Sequence, residues 1–399
     1  MSCTKTYRGP ALFSHGFRPF FLSAALFGLG VVPFWLLVWR GDIAVSGPFP
    51  AEDWHAHEMI FGFAAAVVAG FLFTAVPNWT GRMPIRGWPL IVLCAVWVAG
   101  RLAVGGVLPL GPGGVMAVDS AFLAAVALMI GVEIVAGRNW RNLMVAIPVL
   151  LLLAANLAFH VGAMSGHGMD VGLRLGLAVL IFLITLIGGR IIPSFTRNWL
   201  SRQAAPQMPA PFGRFDGLCL IAGAVALANW VWQPHAITTA LFLALAAALH
   251  AVRMSRWRGL STWRSPLLLM LHIAYGFIPF GLAATAAAAL DLAEPAMGLH
   301  LFGIGAVGGM TLAVMMRATR GHTGRSLEAG PFLTAAFVLI AAAALVRAML
   351  PGLWIAGIDG ITLSAGLWSL GFAFFTTSIA PWLVMPSVER RQPNRAAQA

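Results

Sequence analysis

Nothing constrains this chain more than the number and length of its apolar runs. About twelve follow one another, each about 20 residues long, the length an α-helix needs to cross roughly 30 Å of hydrocarbon. They fall near residues 20–39, 59–77, 88–108, 115–136, 143–164, 172–192, 215–232, 236–253, 267–290, 297–316, 332–350 and 361–383. The runs are unbroken and rich in Gly and Ala, without the in–out alternation of a membrane barrel. Charged residues make up only 10% of the chain, against about 25% in a soluble domain. The fold class is therefore predicted to be all-α, a polytopic membrane protein of about twelve transmembrane helices. The opening MSCTKTYRGP leads into a full-length span and shows no cleavable signal.

A net charge of +12 invites a nucleic-acid reading, but the basic residues sit in short loops between spans, where they act as orientation signals. With the N-terminus in the cytoplasm, all Lys and Arg except Arg40, Arg101, Arg174 and Arg347 fall on inner segments, among them Lys5, Arg141, Arg390, Arg391 and Arg395. Twelve spans with both termini cytoplasmic are the expectation; a missed or false span would scramble the alternation. The longest inner loop, about 193–214, joins spans 1–6 (about 20–192) to spans 7–12 (about 215–385). No sequence repeat relates the halves, and 1–399 reads as one membrane domain.

Three cysteines, Cys3, Cys94 and Cys219, form no CxxC and no CxxCH, so neither a disulfide framework nor c-type heme is expected. Ten histidines are more informative. His55, His57, His160, His167, His235 and His300 fall on the outer side; His15, His250, His272 and His322 fall on the inner side. An ionisable group within a bilayer is costly and points to function. For His167, His235 and His250 the plain alternative is preferred, an interfacial ring with its polar tip among headgroups. His55, His57, His160 and His300 instead suggest a metal site toward the outer face. Imidazole suits Cu, Zn, Fe and Ni and is the usual axial ligand of b-type heme.

Within WHAHEMIFGF, residues 54–63, His55 and His57 lie two apart. If this stretch is helical they point about 200° apart, so one helix end would serve two centres, with Glu58 sharing the His55 face. If it is irregular, both rings converge on one ion. Gly62, Ala66 and Gly70 make a small-residue stripe, suited to close helix contact or to a flat macrocycle. Asn156, four before His160, shares its face and is a candidate catalytic group with Glu58, a candidate proton carrier. Met310, Met315 and Met316 read first as core filler. Arg190, Arg197 and Arg317 stand at inner span ends, able to meet heme propionates, quinol or lipid headgroups.

GFRPFF, WHAHEMIFGFAAAVVAGFLFTAVPNWTG, GGRIIPSFTRNW and MTLAVMMRATRGHTGR together resemble the NnrS family, over residues 16–326 and on through the later spans. The resemblance implies a multi-pass protein of the bacterial inner membrane, containing heme b and copper and linked to nitric oxide and nitrosative stress. It carries over His55, His57, His160, His272, His300 and His322 as the family's histidines, without dividing them between heme and copper.

Three functions fit. One is a redox enzyme that reduces nitric oxide with electrons from quinol, the cofactors held among His55, His57, His160, His300, His272 and His322 with Arg190 and Arg317. The second is a non-catalytic nitric oxide-binding protein that protects against nitrosative stress. The third is a transporter of metal or of a nitric oxide metabolite, against which stands the lack of an inverted repeat. Membership of the heme–copper oxidase superfamily is disfavoured by the absence of an adjacent HH pair.

Overall fold

The computed structural model describes residues 7–138, 140 and 146–388. Lys5, Arg141, Arg390, Arg391, Arg395, Cys3 and the first residues of the fifth expected span lie outside them. Twelve apolar helices follow in order: α1 Phe17–Arg40, α2 Ala51–Thr80, α3 Trp88–Val104, α4 Pro112–Ala136, α5 Ala146–Ser165, α6 Asp170–Arg202, α7 Arg214–Trp232, α8 Ile237–Ser255, α9 Pro266–Ala288, α10 Pro295–His322, α11 Gly330–Met349 and α12 Gly360–Val384. Eleven are long enough to cross a membrane and α3 is a shorter apolar helix. The protein is a multi-pass membrane protein. A two-residue hairpin, β1 Trp354–Ile355 against β2 Ile358–Asp359, leads into α12.

Helix ends follow local chemistry. Proline occupies the first turns of α3, α4, α9, α10 and α11, where its missing N–H costs nothing. Gly41 and Gly81 close α1 and α2 in the left-handed conformation that favours glycine. Asp359 caps α12 by accepting from the Thr362 N–H at 2.9 Å.

Two expected boundaries move. α2 begins eight residues before the expected span, because Glu52 and Asp53 occupy its first turn and complement the helix dipole. His55 and His57 are therefore helical. α6 runs on through Arg202 with Pro193 inside it, so the inner connection is 203–213 and not 193–214. That extension is amphipathic and polar, which is why an apolarity criterion ends the span at residue 192.

Sequential helices pack as neighbours: α3 on α4, α4 on α5, α5 on α6, α7 on α8, α8 on α9, and α11 on α12. The chain also closes on itself, with α1 against α12. At one end Arg18 donates to the carbonyls of Leu383 (2.8 Å) and Met385 (2.7 Å) and to Ser387 Oγ (2.8 Å). At the other, Arg40 pairs with Asp359 at 2.7 Å. The start of α1 and the end of α12 thus share a side, as an even number of crossings requires.

Burial separates a core from a rim. The apolar windows of α2 and α9 are 72% buried, α10 67% and α6 61%, while most others are 39%. Three of these central helices are interrupted by π-helical stretches, Glu58–Ala64 in α2, Ile184–Gly188 in α6 and Leu301–Gly308 in α10. Such stretches are rare and cluster at functional sites. The π stretches of α2 and α10 touch each other and the first half of α6.

The glycine stripe on α2 is resolved by its neighbours. A Cβ at Gly62 would meet Arg101, Glu58 and Phe27, and one at Gly70 would meet Phe21 and Phe20. Protein side chains fill the stripe, so it serves helix packing and holds no macrocycle.

Candidate metal centre

α2 carries two histidines into two different surroundings. His57, on the α4–α5 side, is fully buried. Its Nδ1 lies 3.1 Å from Glu58 Oε1, and its Nε2 lies 3.0 Å from Asn156 Oδ1 and 3.2 Å from Asp119 Oδ2. His160, one turn beyond Asn156 on α5, brings its Nε2 within 3.0 Å of the same Asp119 oxygen. Asn156 Nδ2 donates to that oxygen at 2.8 Å. Phe49 from the α1–α2 connection packs on both rings, with centroids 5.0 and 5.2 Å away, and keeps the cluster dry.

His57, Asp119 and His160 are the one group of three metal-binding side chains among the described residues, with ligand atoms within 4.8 Å of one another. Separations near 3 Å are what bonds of about 2 Å to one central ion produce. Two imidazoles and a carboxylate suit a first-row ion such as copper or zinc.

The charges also favour a cation. Arg101 reaches in from α3, donating to Glu58 Oε1 at 2.7 Å and to Asp119 Oδ1. Two buried carboxylates against one guanidinium leave one negative charge over, and a buried charge must be paired. Asp119 Oδ2 meanwhile faces three nitrogen groups at once, a crowding that a bound ion between the imidazoles would relieve.

His55 points the other way. Its ring stacks on Trp35 at 4.3 Å between centroids, and its Nδ1 is buried without a hydrogen-bond partner. It lines a cavity of about 480 Å³ shared with His300, Trp39, Gly303, Arg347 and Trp368. His300 Nδ1 donates to Ala296 O at 2.7 Å, the bond that orients an imidazole for ligation through Nε2. Two imidazoles in a largely apolar chamber, with a guanidinium among its lining groups, fit the needs of a heme and its propionates.

The remaining expected residues lie elsewhere. Glu58, expected on the His55 face, belongs to the His57 network, because the wider π turn beginning at that residue breaks the three-residue register. His272 on α9 pairs its Nε2 with Thr196 Oγ1 at 2.9 Å, beside the groove between Met254 and Met297. His322 ends α10 with its ring on Phe17, 5.4 Å between centroids. Arg190 stands over Phe212 and Arg317 over Phe195, at 5.6 and 3.8 Å. None of these four joins the His57 or His55 surroundings. Met315 and Met316 are fully buried core. His167 and His235 are exposed, whereas His250, expected at the interface, is fully buried. Its Nδ1 meets the Tyr275 hydroxyl at 2.8 Å, because α8 turns that face toward α9.

Asp119 is the residue that histidine-centred reading passes over. It is a lone carboxylate inside the apolar run VMAVDSAFLAAV, and its cost in hydrocarbon is itself the signal. Arg101, also within a span, is its natural partner.

A family model for NnrS protein matches residues 11–387. The chain belongs to the NnrS family. That membership covers all twelve helices and both histidine surroundings, and it links the chain to nitric oxide and to metal or heme binding. No curated protein matches it.

Proposed function

We propose that this member of the NnrS family is a bacterial inner-membrane protein that holds copper and heme b on its periplasmic side and reduces nitric oxide. The observation that carries the reading is the meeting of His57, Asp119 and His160, from three separate helices, on one carboxylate oxygen. His57, Asp119 and His160 would hold copper. The neighbouring chamber would hold heme through His55 or His300, with Arg347 among the lining groups that could meet its propionates. When bound, the two cofactors supply one-electron chemistry and a place for nitric oxide.

The chain's own groups do the rest. Glu58 holds the His57 ring through Nδ1, which leaves Nε2 for the metal, and Asn156 positions the Asp119 carboxylate. Arg101 fixes both carboxylates. Phe49 and Phe159 exclude water from the imidazoles. Reduction of two nitric oxide molecules to nitrous oxide and water consumes two electrons and two protons. A quinol in the bilayer is the proposed donor of both, and Glu58 the group that passes protons beside the copper ligands.

The test is consumption of nitric oxide by purified, metal-loaded protein reduced with a quinol. Steady turnover supports the reductase. Binding of one equivalent without turnover, at full metal content, rejects it and favours the protective nitric oxide-binding protein.

A further inference from the structure

A second, narrower void lies deeper in the bilayer. It is a cleft of about 90 Å³ between α2, α6 and α10, opening between the half-buried side chains Phe71, Ile187, Ile191 and Val314. Its lining residues lie near the middle of α2, α6 and α10, the part of a spanning helix that hydrocarbon surrounds. Two of its lining residues, Leu180 and Val307, also line the His55–His300 chamber. The two voids therefore meet across the same pair of side chains.

The lining is apolar almost throughout. Its one hydroxyl, Thr311 Oγ1, donates to Gly308 O at 3.0 Å, so its hydrogen is spent within its own helix. Water, protons and ions find no partner here. A lipid tail is far larger than the space, which is that of a few small molecules.

All three π-helical stretches contribute to its walls: Ala64 from α2, Ile184, Ile187 and Gly188 from α6, and Val307 from α10. A π turn inserts an extra residue and breaks the regular ridge of the helix surface. Three such breaks around one cleft keep the helices from interdigitating fully, and the gap is what remains.

We propose that this cleft is the path by which an apolar diatomic gas passes from the hydrocarbon into the His55–His300 chamber. Nitric oxide is that gas, on the function proposed above. It concentrates in an apolar phase for the same reason that any apolar solute leaves water. The path keeps the gas apart from the polar side of α2, where Glu58, Asp119 and Arg101 lie.

Two measurements test this on the full-length protein. In the first, nitric oxide and carbon monoxide are followed onto the reduced heme by stopped flow and flash photolysis. Ile187→Trp and Val314→Trp are expected to slow association by about tenfold or more, with dissociation slowed in step, so that affinity and the absorption spectrum stay as in the parent. Val98→Trp, at a 45% exposed position of α3, leaves the rates unchanged. Unaltered rates in both cleft variants overturn the proposal. The second measurement needs no heme: crystals under xenon are expected to show the gas beside Leu180, Val307 and Met310, and xenon confined to other sites overturns the proposal. Protein that binds xenon in the cleft but no heme would sink the function proposed above and leave the path standing.

Discussion

The rings of His57 and His160 stand edge to face, 5.3 Å between centroids, and each turns a nitrogen toward the same oxygen of Asp119. His55, two residues from His57, faces a different chamber altogether. Substitution should therefore separate the two cofactors. His57→Ala and His160→Ala are expected to lose copper and keep the heme absorption band, and His55→Ala and His300→Ala to weaken or lose heme and keep copper. Metal content by mass spectrometry, with optical and electron paramagnetic spectra, reads both. Loss of both cofactors in every variant would mean a single shared centre.

Asp119→Asn keeps the shape of the side chain and removes its charge. Copper affinity should fall by at least about 10–100-fold, the loss that even an outer partner of a metal site causes. Arg101 keeps Glu58 as its partner in that variant, so stability should fall only by the lost hydrogen bonds to the charged group, about 1.5–3 kcal/mol each. Adding Arg101→Gln should lower stability further, because Glu58 is then buried without its cation. A double-mutant cycle of thermal unfolding in detergent measures that coupling.

Gly62 gives way to Arg101. A Cβ there would stand 2.5 Å from Arg101 Nη1 and 3.0 Å from Glu58 Oε2, two atoms that the ion-pair network holds in place. Gly62→Ala should disturb the copper spectrum and lower copper occupancy. Gly30→Ala, with nothing within 4 Å, should change neither. Equal behaviour of the two variants would show that the Arg101 bridge is dispensable.

The clamp of Arg18 on the end of α12 should matter for stability alone. Hydrogen bonds to a charged group contribute about 1.5–3 kcal/mol each, and Arg18 makes several. Arg18→Ala should lower the unfolding temperature clearly, with cofactor content intact in the folded fraction. Arg18→Lys should recover only part, since an ammonium cannot reproduce the guanidinium fork.

Twelve helices were legible because each apolar run is as long as the bilayer is thick and the positive charges fall in alternate loops. The polar extension of α6 was not, since residues 193–202 lack the apolarity that marks a span. The divergence of His55 and His57 follows from helical geometry once Glu52 and Asp53 start the helix early. The company each keeps does not follow, because Asp119, Asn156 and Arg101 reach the cluster from three other helices. Glu58 was misassigned for a local reason: nothing in EMIFGFA announces a π turn, which depends on the packing of α2 against α6 and α10.

Arg18 is bound to Leu383, a residue 365 positions later in the chain. In any synthesis that proceeds from the N-terminus, the first helix enters the lipid long before its last partner exists. Until α12 is delivered, that guanidinium has only headgroups for company, and the bundle stays open along one seam. The ring of helices is thus sealed only once α12 is in place, and a chain cut short within α12 would stall as an unclosed, protease-sensitive assembly.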